Sequence, residues 1–170
     1  ELLAVAEDLA RVESRDEASR MLGRWIHNLD DPQRACGADK PGAVHVSVDK
    51  RWLQNDELLG THVAAAIAAI SSKVDGGSGQ HYVSLASGVG NPQFFSESSY
   101  ADIERLDWRY RLIGLFRFWN IVEYWSPYKD LVADDWDEVL KTFIPRFVIA
   151  ENEDEYILEL MALVARARDG

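Results

Sequence analysis

Apolar residues recur every three to four positions along most of the chain, and that spacing predicts helices. Residues 1–11 are rich in Leu and Ala and read as a first helix. Ser14-Arg15-Asp16-Glu17 has the form of a capping box, with Ser14 accepting from a backbone N–H and Glu17 reaching back. Ala18, Met21, Leu22, Trp25, Ile26 and Leu29 then share one helical face, up to Asp30-Asp31-Pro32, where proline disfavours helix in the residue before it. A single helix is expected from Asn55 or Asp56 to about Lys73. The strongest helical segment covers 107–125. Leu112, Ile113, Leu115, Phe116, Phe118, Trp119, Ile121 and Val122 make it apolar nearly all round, the pattern of a helix covered on most sides. Ser126-Pro127 closes it. Asp134 is the expected cap of the next helix, with Trp136, Val139, Leu140, Phe143 and Ile144 facing inward and Pro145 kinking or ending it. Asn152 with Glu155 opens a last helix, along which Ile157, Leu160, Met161 and Val164 repeat.

β signals are few. Val44, Val46 and Val48 alternate with His45 and Ser47, and His81-Tyr82-Val83-Ser84-Leu85 is β-like, so these two segments are expected to pair. Cys36, Gly37, Pro41 and Gly42 mark a loop, Gly76-Gly77-Ser78-Gly79 a break, and Gly88-Val89-Gly90-Asn91-Pro92 a turn; 99–106 reads as a short helical turn. The expected fold is mainly α, a helical bundle-like domain with at most a short two-stranded β element. Residues 1–100 form an N-terminal helical and loop region and 101–170 a helical subdomain. The strand–helix alternation of a Rossmann or barrel fold is missing from the pattern.

Composition narrows the function classes. The 170 residues carry a formal charge of −11, a surface that repels phosphate backbones and acidic lipid headgroups, so neither nucleic acid nor a polybasic membrane contact is expected. Apolar residues make up 47% of the chain, enough for a core. No apolar run approaches the roughly 20 residues that span a bilayer. The chain opens in a helical pattern without an initiator Met or a signal-peptide pattern, as expected of a protein whose leader has been removed, and it stops on Gly170 just past a helical row, as expected at a domain boundary.

No set of residues completes a catalytic or metal centre. Cys36 is the sole cysteine, so a Cys-based zinc site and an internal disulfide are both impossible. As a nucleophile it would need His27 or His45 as base and an activating setting that the local sequence does not supply; it reads as a structural cysteine. His27, His45, His62 and His81 lack the i, i+4 spacing that sets two ligands on one helix face. Asp134, Asp135 and Asp137 fail as a calcium loop, because the sixth residue from Asp135 is Leu140 and not glycine; acids in a first turn serve the helix dipole instead. Gly88-Val89-Gly90 fails as a dinucleotide loop, since Gln93 stands where a third glycine belongs. Ser72-Lys73 is not a catalytic serine–lysine pair, and no Gly-x-Ser-x-Gly elbow occurs. Phe116, Phe118, Trp119, Tyr124, Trp125 and Tyr128 suggest a stacking platform, but at helical spacing they read first as core. No catalytic, cofactor-binding or metal-binding residue is therefore assigned, and no cofactor is expected.

The segment Tyr110-Arg111-Leu112-Ile113-Gly114-Leu115-Phe116-Arg117-Phe118-Trp119-Asn120-Ile121-Val122-Glu123-Tyr124, followed by Ser126-Pro127-Tyr128, Asp135-Trp136-Asp137 and Phe143-Ile144-Pro145, resembles the helical N-terminal region of the tail-specific (C-terminal processing) and tricorn-like serine peptidases. In that family a Trp-containing helix ends in a Tyr-x-x-Pro element, and a Trp-Asp helix start and an Ile-Pro pair follow. His81-Tyr82-Val83-Ser84 and Gly90-Asn91-Pro92-Gln93-Phe94 look like the preceding segment in a bacterial subgroup. The resemblance covers about 80–170 and is faint over 1–75. Many relatives carry Lys where Glu123 stands and His where Ser126 stands.

The resemblance implies a following domain with a serine nucleophile and a lysine or histidine base, often with a PDZ-like peptide-binding module, and a periplasmic or exported bacterial protein. Tricorn-like relatives place a histidine after the last helix of this region in an Asp-Gly-His or Asp-Ser-His run, whose start Asp169-Gly170 matches. The expectation is a non-catalytic domain, inactive alone, that packs on a downstream serine endopeptidase domain acting on peptides or protein tails. The alternative is a stand-alone helical protein-binding module with an aromatic interaction surface.

Overall fold

The computed structural model describes residues 2–29, 51–73, 83–89, 91–94, 100, 107–126, 129 and 135–167. The fold is mainly α. The described elements run α1 (Leu2–Leu9), α2 (Arg15–Asn28), a 3-10 turn (Arg51–Gln54), α3 (Asp56–Leu59), α4 (Thr61–Lys73), β1 (Val83–Leu85), β2 (Pro92–Phe94), α5 (Trp108–Trp125), α6 (Trp136–Ile149) and α7 (Glu153–Ala167). The chain divides into two compact units, Glu1–Ser98 and Ser99–Gly170.

In the first unit Ser14 caps α2, its Oγ accepting from the Glu17 N–H at 3.2 Å. The helix ends at Asn28, before the expected Asp30-Asp31-Pro32 stop, which lies outside the described residues. Its bulky apolar residues are only half-buried, and Leu29 is exposed. The residues that α2 buries fully are Ser19 and Gly23. The reason is close approach to α4: a Cβ on Gly23 would stand 2.8 Å from the backbone oxygen of His62. Small side chains on α2 let the two backbones meet, and Val63 and Ala66 of α4 are buried at this seam.

The single helix expected from Asn55 to Lys73 is two helices. Asn55 caps α3, accepting from the Leu58 N–H at 3.0 Å. The chain then breaks at Gly60, whose φ of 75° lies in the left-handed region that favours glycine. Gly60 has no side chain with which to cap α4. The cap comes from another helix: Ser19 Oγ accepts from the Val63 N–H at 3.3 Å. Arg15 on the same helix donates from Nη2 to the carbonyls of Leu58, at 2.7 Å, and Glu57, which end α3. One turn of α2 thus holds both sides of the break. Ser19→Ala is expected to cost the first unit about 1–2 kcal/mol, the range of a lost cap whose N–H is left buried. An unchanged thermal midpoint would show that the cap carries no weight.

β1 pairs antiparallel with β2, with Val83 opposite Phe94, Ser84 opposite Gln93 and Leu85 opposite Pro92. The expected partner, 44–48, lies outside the described residues, as do the 76–79 break, His81 and 101–106 of the expected helical turn. The hairpin's turn is closed by the Ala86 N–H on the Asn91 carbonyl at 2.8 Å, and Gly88 takes a φ of 83°. Pro92 fits the first position of a strand, where a missing N–H is tolerated.

The second unit packs α5, α6 and α7 around Leu112, Leu115, Val122, Trp136, Val139, Phe143, Phe147 and Leu163. α5 begins where expected, with Asp107 accepting from the Arg109 N–H at 2.9 Å. α6 is capped by Asp135, one residue after the expected Asp134. Its Oδ1 accepts from the N–H groups of Asp137 at 3.0 Å and Glu138 at 3.3 Å. Pro145 does not end α6, which runs on to Ile149. An interior proline costs about 3 kcal/mol. Full burial of Phe143 before it and Phe147 after it outweighs that cost, because each ring contributes about 1.5–3 kcal/mol when removed from water. Asn152 and Glu155 open α7 as a reciprocal pair. Asn152 Oδ1 accepts from the Glu155 N–H at 2.9 Å, and Glu155 Oε2 accepts from the Glu151 N–H at 2.8 Å.

Candidate functional site

The residues singled out for chemistry do not converge among the described residues. His27 lies exposed in the last turn of α2 and His62 exposed in the first turn of α4. Cys36, His45, His81, Asp134 and Tyr128 lie outside the described residues. Among the described residues no group of three His, Cys, Asp or Glu side chains could hold a metal ion, and no helix is long and apolar enough to cross a membrane. Asp135 is spent on capping α6, and Glu138 pairs with Lys141 at 2.6 Å. Gly88 serves a hairpin turn.

The aromatic group on α5 faces the core. Phe116, Phe118 and Trp119 are half-buried against it. Trp119 and Trp136 lock α5 to α6 through a reciprocal pair of bonds. The Trp119 indole N–H donates to the Trp136 carbonyl at 2.8 Å, and the Trp136 indole N–H donates to the Trp119 carbonyl at 3.1 Å. Phe118 leans on Trp136 with centroids 6.3 Å apart, and Tyr124 meets Trp119 edge-on at 6.1 Å. Phe118, Trp119 and Tyr124 are thus each in contact with another ring. Glu123 forms an ion pair with Lys129.

Two polar features sit deep in the second unit. Arg111 is 4% exposed; its Nη2 donates to the Val148 carbonyl in the last turn of α6 at 3.0 Å, while Nε and Nη1 meet no acceptor among the described residues. A cation suits the negative end of a helix dipole, so Arg111 reads as a cap on α6 drawn from α5. Burial pushes the Tyr156 phenol above its usual range, against the opposing field of Arg111. The Arg109 guanidinium beside Asp107 holds that carboxyl below the usual carboxylate range. None of these groups faces another with the geometry of a general acid–base pair or an activated nucleophile.

The feature that stands out is apolar. Of the residues that repeat along α7, Leu160 packs on the core while Ile157, Met161 and Val164 are exposed, and Leu158 beside them is exposed too, Leu158 at 64% and Met161 at 63%. The inward position is Leu163, which has no exposed surface, with Leu160 and Tyr156 packed beside it. Spacing alone could not separate the two faces, because α7 has apolar residues on both. Four large apolar side chains thus lie exposed along one side of α7.

No family model matches the chain, and neither any curated protein nor any solved structure matches it.

Proposed function

We propose that this chain is the non-catalytic N-terminal domain of a serine endopeptidase of the tail-specific, tricorn-like kind, packing on the catalytic domain and shaping the approach of peptide substrates. The motif series from Tyr110 to Pro145 suggests the family. The observation that carries the role is the exposed row on α7, a helix otherwise docked on the core through Leu163. A domain that works alone gains nothing from leaving four large apolar side chains in water; a domain built to be covered does. A periplasmic or exported setting and a PDZ-like neighbour belong to the same proposal.

The alternative module, presenting its Trp-rich helix to a partner, has less support, because Trp119 is tied to Trp136 and the neighbouring rings pack on the core.

Two results test the reading. The purified chain is expected to leave casein intact over a prolonged incubation. Cleavage that disappears on substituting one of its own residues overturns the proposal. The gene is expected to encode, after Gly170, a serine nucleophile with a lysine or histidine base. A continuation with neither sinks the proposal.

A further inference from the structure

The break at Gly60 separates two unlike pieces of chain. After it, α4 buries Val63 and Ala66 on the side where Gly23 of α2 brings the two backbones together. Before it, neither the 3-10 turn Arg51–Gln54 nor α3 buries a residue: Leu53 and Leu59 are half-buried, and the rest of 51–59 is exposed. A helix of four residues does not hold by itself, because the cost of nucleation outweighs its few bonds. Its closure depends on what other elements supply. α2 supplies Arg15, whose Nη2 donates to the Glu57 and Leu58 carbonyls, the latter at 2.7 Å. These bonds lie at the surface, whereas the bond from the Val63 N–H to Ser19 Oγ on the α4 side is buried.

Gly60 stands between the two pieces with a φ of 75°. With no Cβ, its backbone can turn through regions closed to other residues. A Cβ there would run into the Ser19 side chain, so Gly60 sits close against α2, beside the residue that caps α4. We propose that 51–59 is a hinged flap, which swings away about Gly60 while α2 and α4 stay paired, and that Arg15 is a latch holding it closed. Regions with few buried side chains and surface hydrogen bonds open at a lower free energy than the core they adjoin. Opening uncovers Leu53 and Leu59 beside Trp52 and Leu58, which are exposed already, so the open state shows more apolar side chain than the closed one.

The test is amide hydrogen exchange on the full chain, resolved residue by residue by NMR. In the closed state the N–H groups of Leu58, Leu59 and Gly60 are bonded, the first two to Asn55 and the third to Asp56. Their protection reports the flap, and that of Ala66 and Ile67 reports α4. The three flap amides are expected to be at least about tenfold less protected than the two in α4. Their exchange should change little with low denaturant, because a small opening exposes little surface. Arg15→Met keeps an unbranched, helix-favouring side chain and removes the donors. It is expected to lower protection of the flap amides by about three- to tenfold, the range of one or two lost hydrogen bonds, and to leave Ala66, Ile67 and the amides of α5 unchanged. Arg15→Lys, which keeps a cationic donor, should fall between the parent and Arg15→Met. Equal protection on the two sides of Gly60 overturns the proposal. So does a denaturant dependence as steep as that of α4, which would make flap and helix one unit. Protection that Arg15→Met leaves unaltered, or lowers equally in α4, removes Arg15 as the latch and overturns it as well.

Discussion

Phe147→Ala is expected to destabilise the Ser99–Gly170 unit by about 3–5 kcal/mol. Phe147 has no exposed surface and sits where α6 meets α7. Its ring meets Phe143 of the same helix edge-on at 6.1 Å and Tyr156 of α7 edge-on at 5.6 Å, so truncation opens a cavity and breaks two aromatic pairs, the second of which joins α6 to α7. A unit of this size holds roughly 4–11 kcal/mol in all, at about 0.05–0.15 kcal/mol per residue. The substitution therefore removes a large share of the total, and the melting midpoint should fall by at least about 12 °C. Ile149, two residues on, is 71% exposed on the same helix. Ile149→Ser should change stability by no more than about 0.5 kcal/mol. Differential scanning calorimetry of the two variants gives the comparison. Similar midpoints would mean that the core does not converge on Phe147.

A second large effect is expected at Gly23, with a sign opposite to the one helix propensity gives. Alanine is better than glycine in a helix by about 1 kcal/mol, so Gly23→Ala on an open helix face would stabilise. Here the new Cβ would stand 2.8 Å from the His62 oxygen and 2.9 Å from its carbonyl carbon. Those are backbone atoms of α4, so relief requires the helices to move apart. That movement loosens the Ser19 cap on Val63 and the burial of Val63 and Ala66. A net loss of about 1–3 kcal/mol is expected for Gly23→Ala, rising for Gly23→Leu. Gly114 on α5 is the comparison. Its added Cβ would meet the Tyr156 hydroxyl oxygen at 3.3 Å, the far end of a side chain that can yield by a few tenths of an ångström. Gly114→Ala should lie near neutral, as packing strain offsets propensity. A stabilised Gly23→Ala protein would show that the two helices are not held at this distance.

Caps and helix limits were the most legible part of the fold, because they depend on neighbours in sequence. Ser14 before α2, Asn55 before α3, Asp107 before α5 and Asn152 before α7 each accept a bond from an N–H two or three residues ahead. The break at Gly60 was hidden because the cap that makes it tolerable comes from Ser19, forty-four residues away from the Val63 N–H it holds. The run through Pro145 was hidden for a similar reason. The local rule stops a helix there, and only the burial of Phe143 and Phe147 on both sides overrides it.

The candidate site followed the same division. Reading residue by residue disposed of the zinc, calcium and dinucleotide motifs, since each needs a fixed spacing that the chain lacks. It did not locate the exposed row. Ile157, Leu160, Met161 and Val164 repeat at helical spacing, but Leu163 and Tyr156 offer a second apolar face, and periodicity does not say which face meets the core.

The sequence by itself therefore determined the mainly helical class, most helix starts and the net acidic charge. All of these are set by local backbone bonding and by composition. Only the tertiary structure decided which small residues let α2 and α4 touch, which ring anchors α6 to α7, and which side of α7 is left in water. Those outcomes depend on how side chains from distant segments fill one another's space, and a linear pattern carries no record of that.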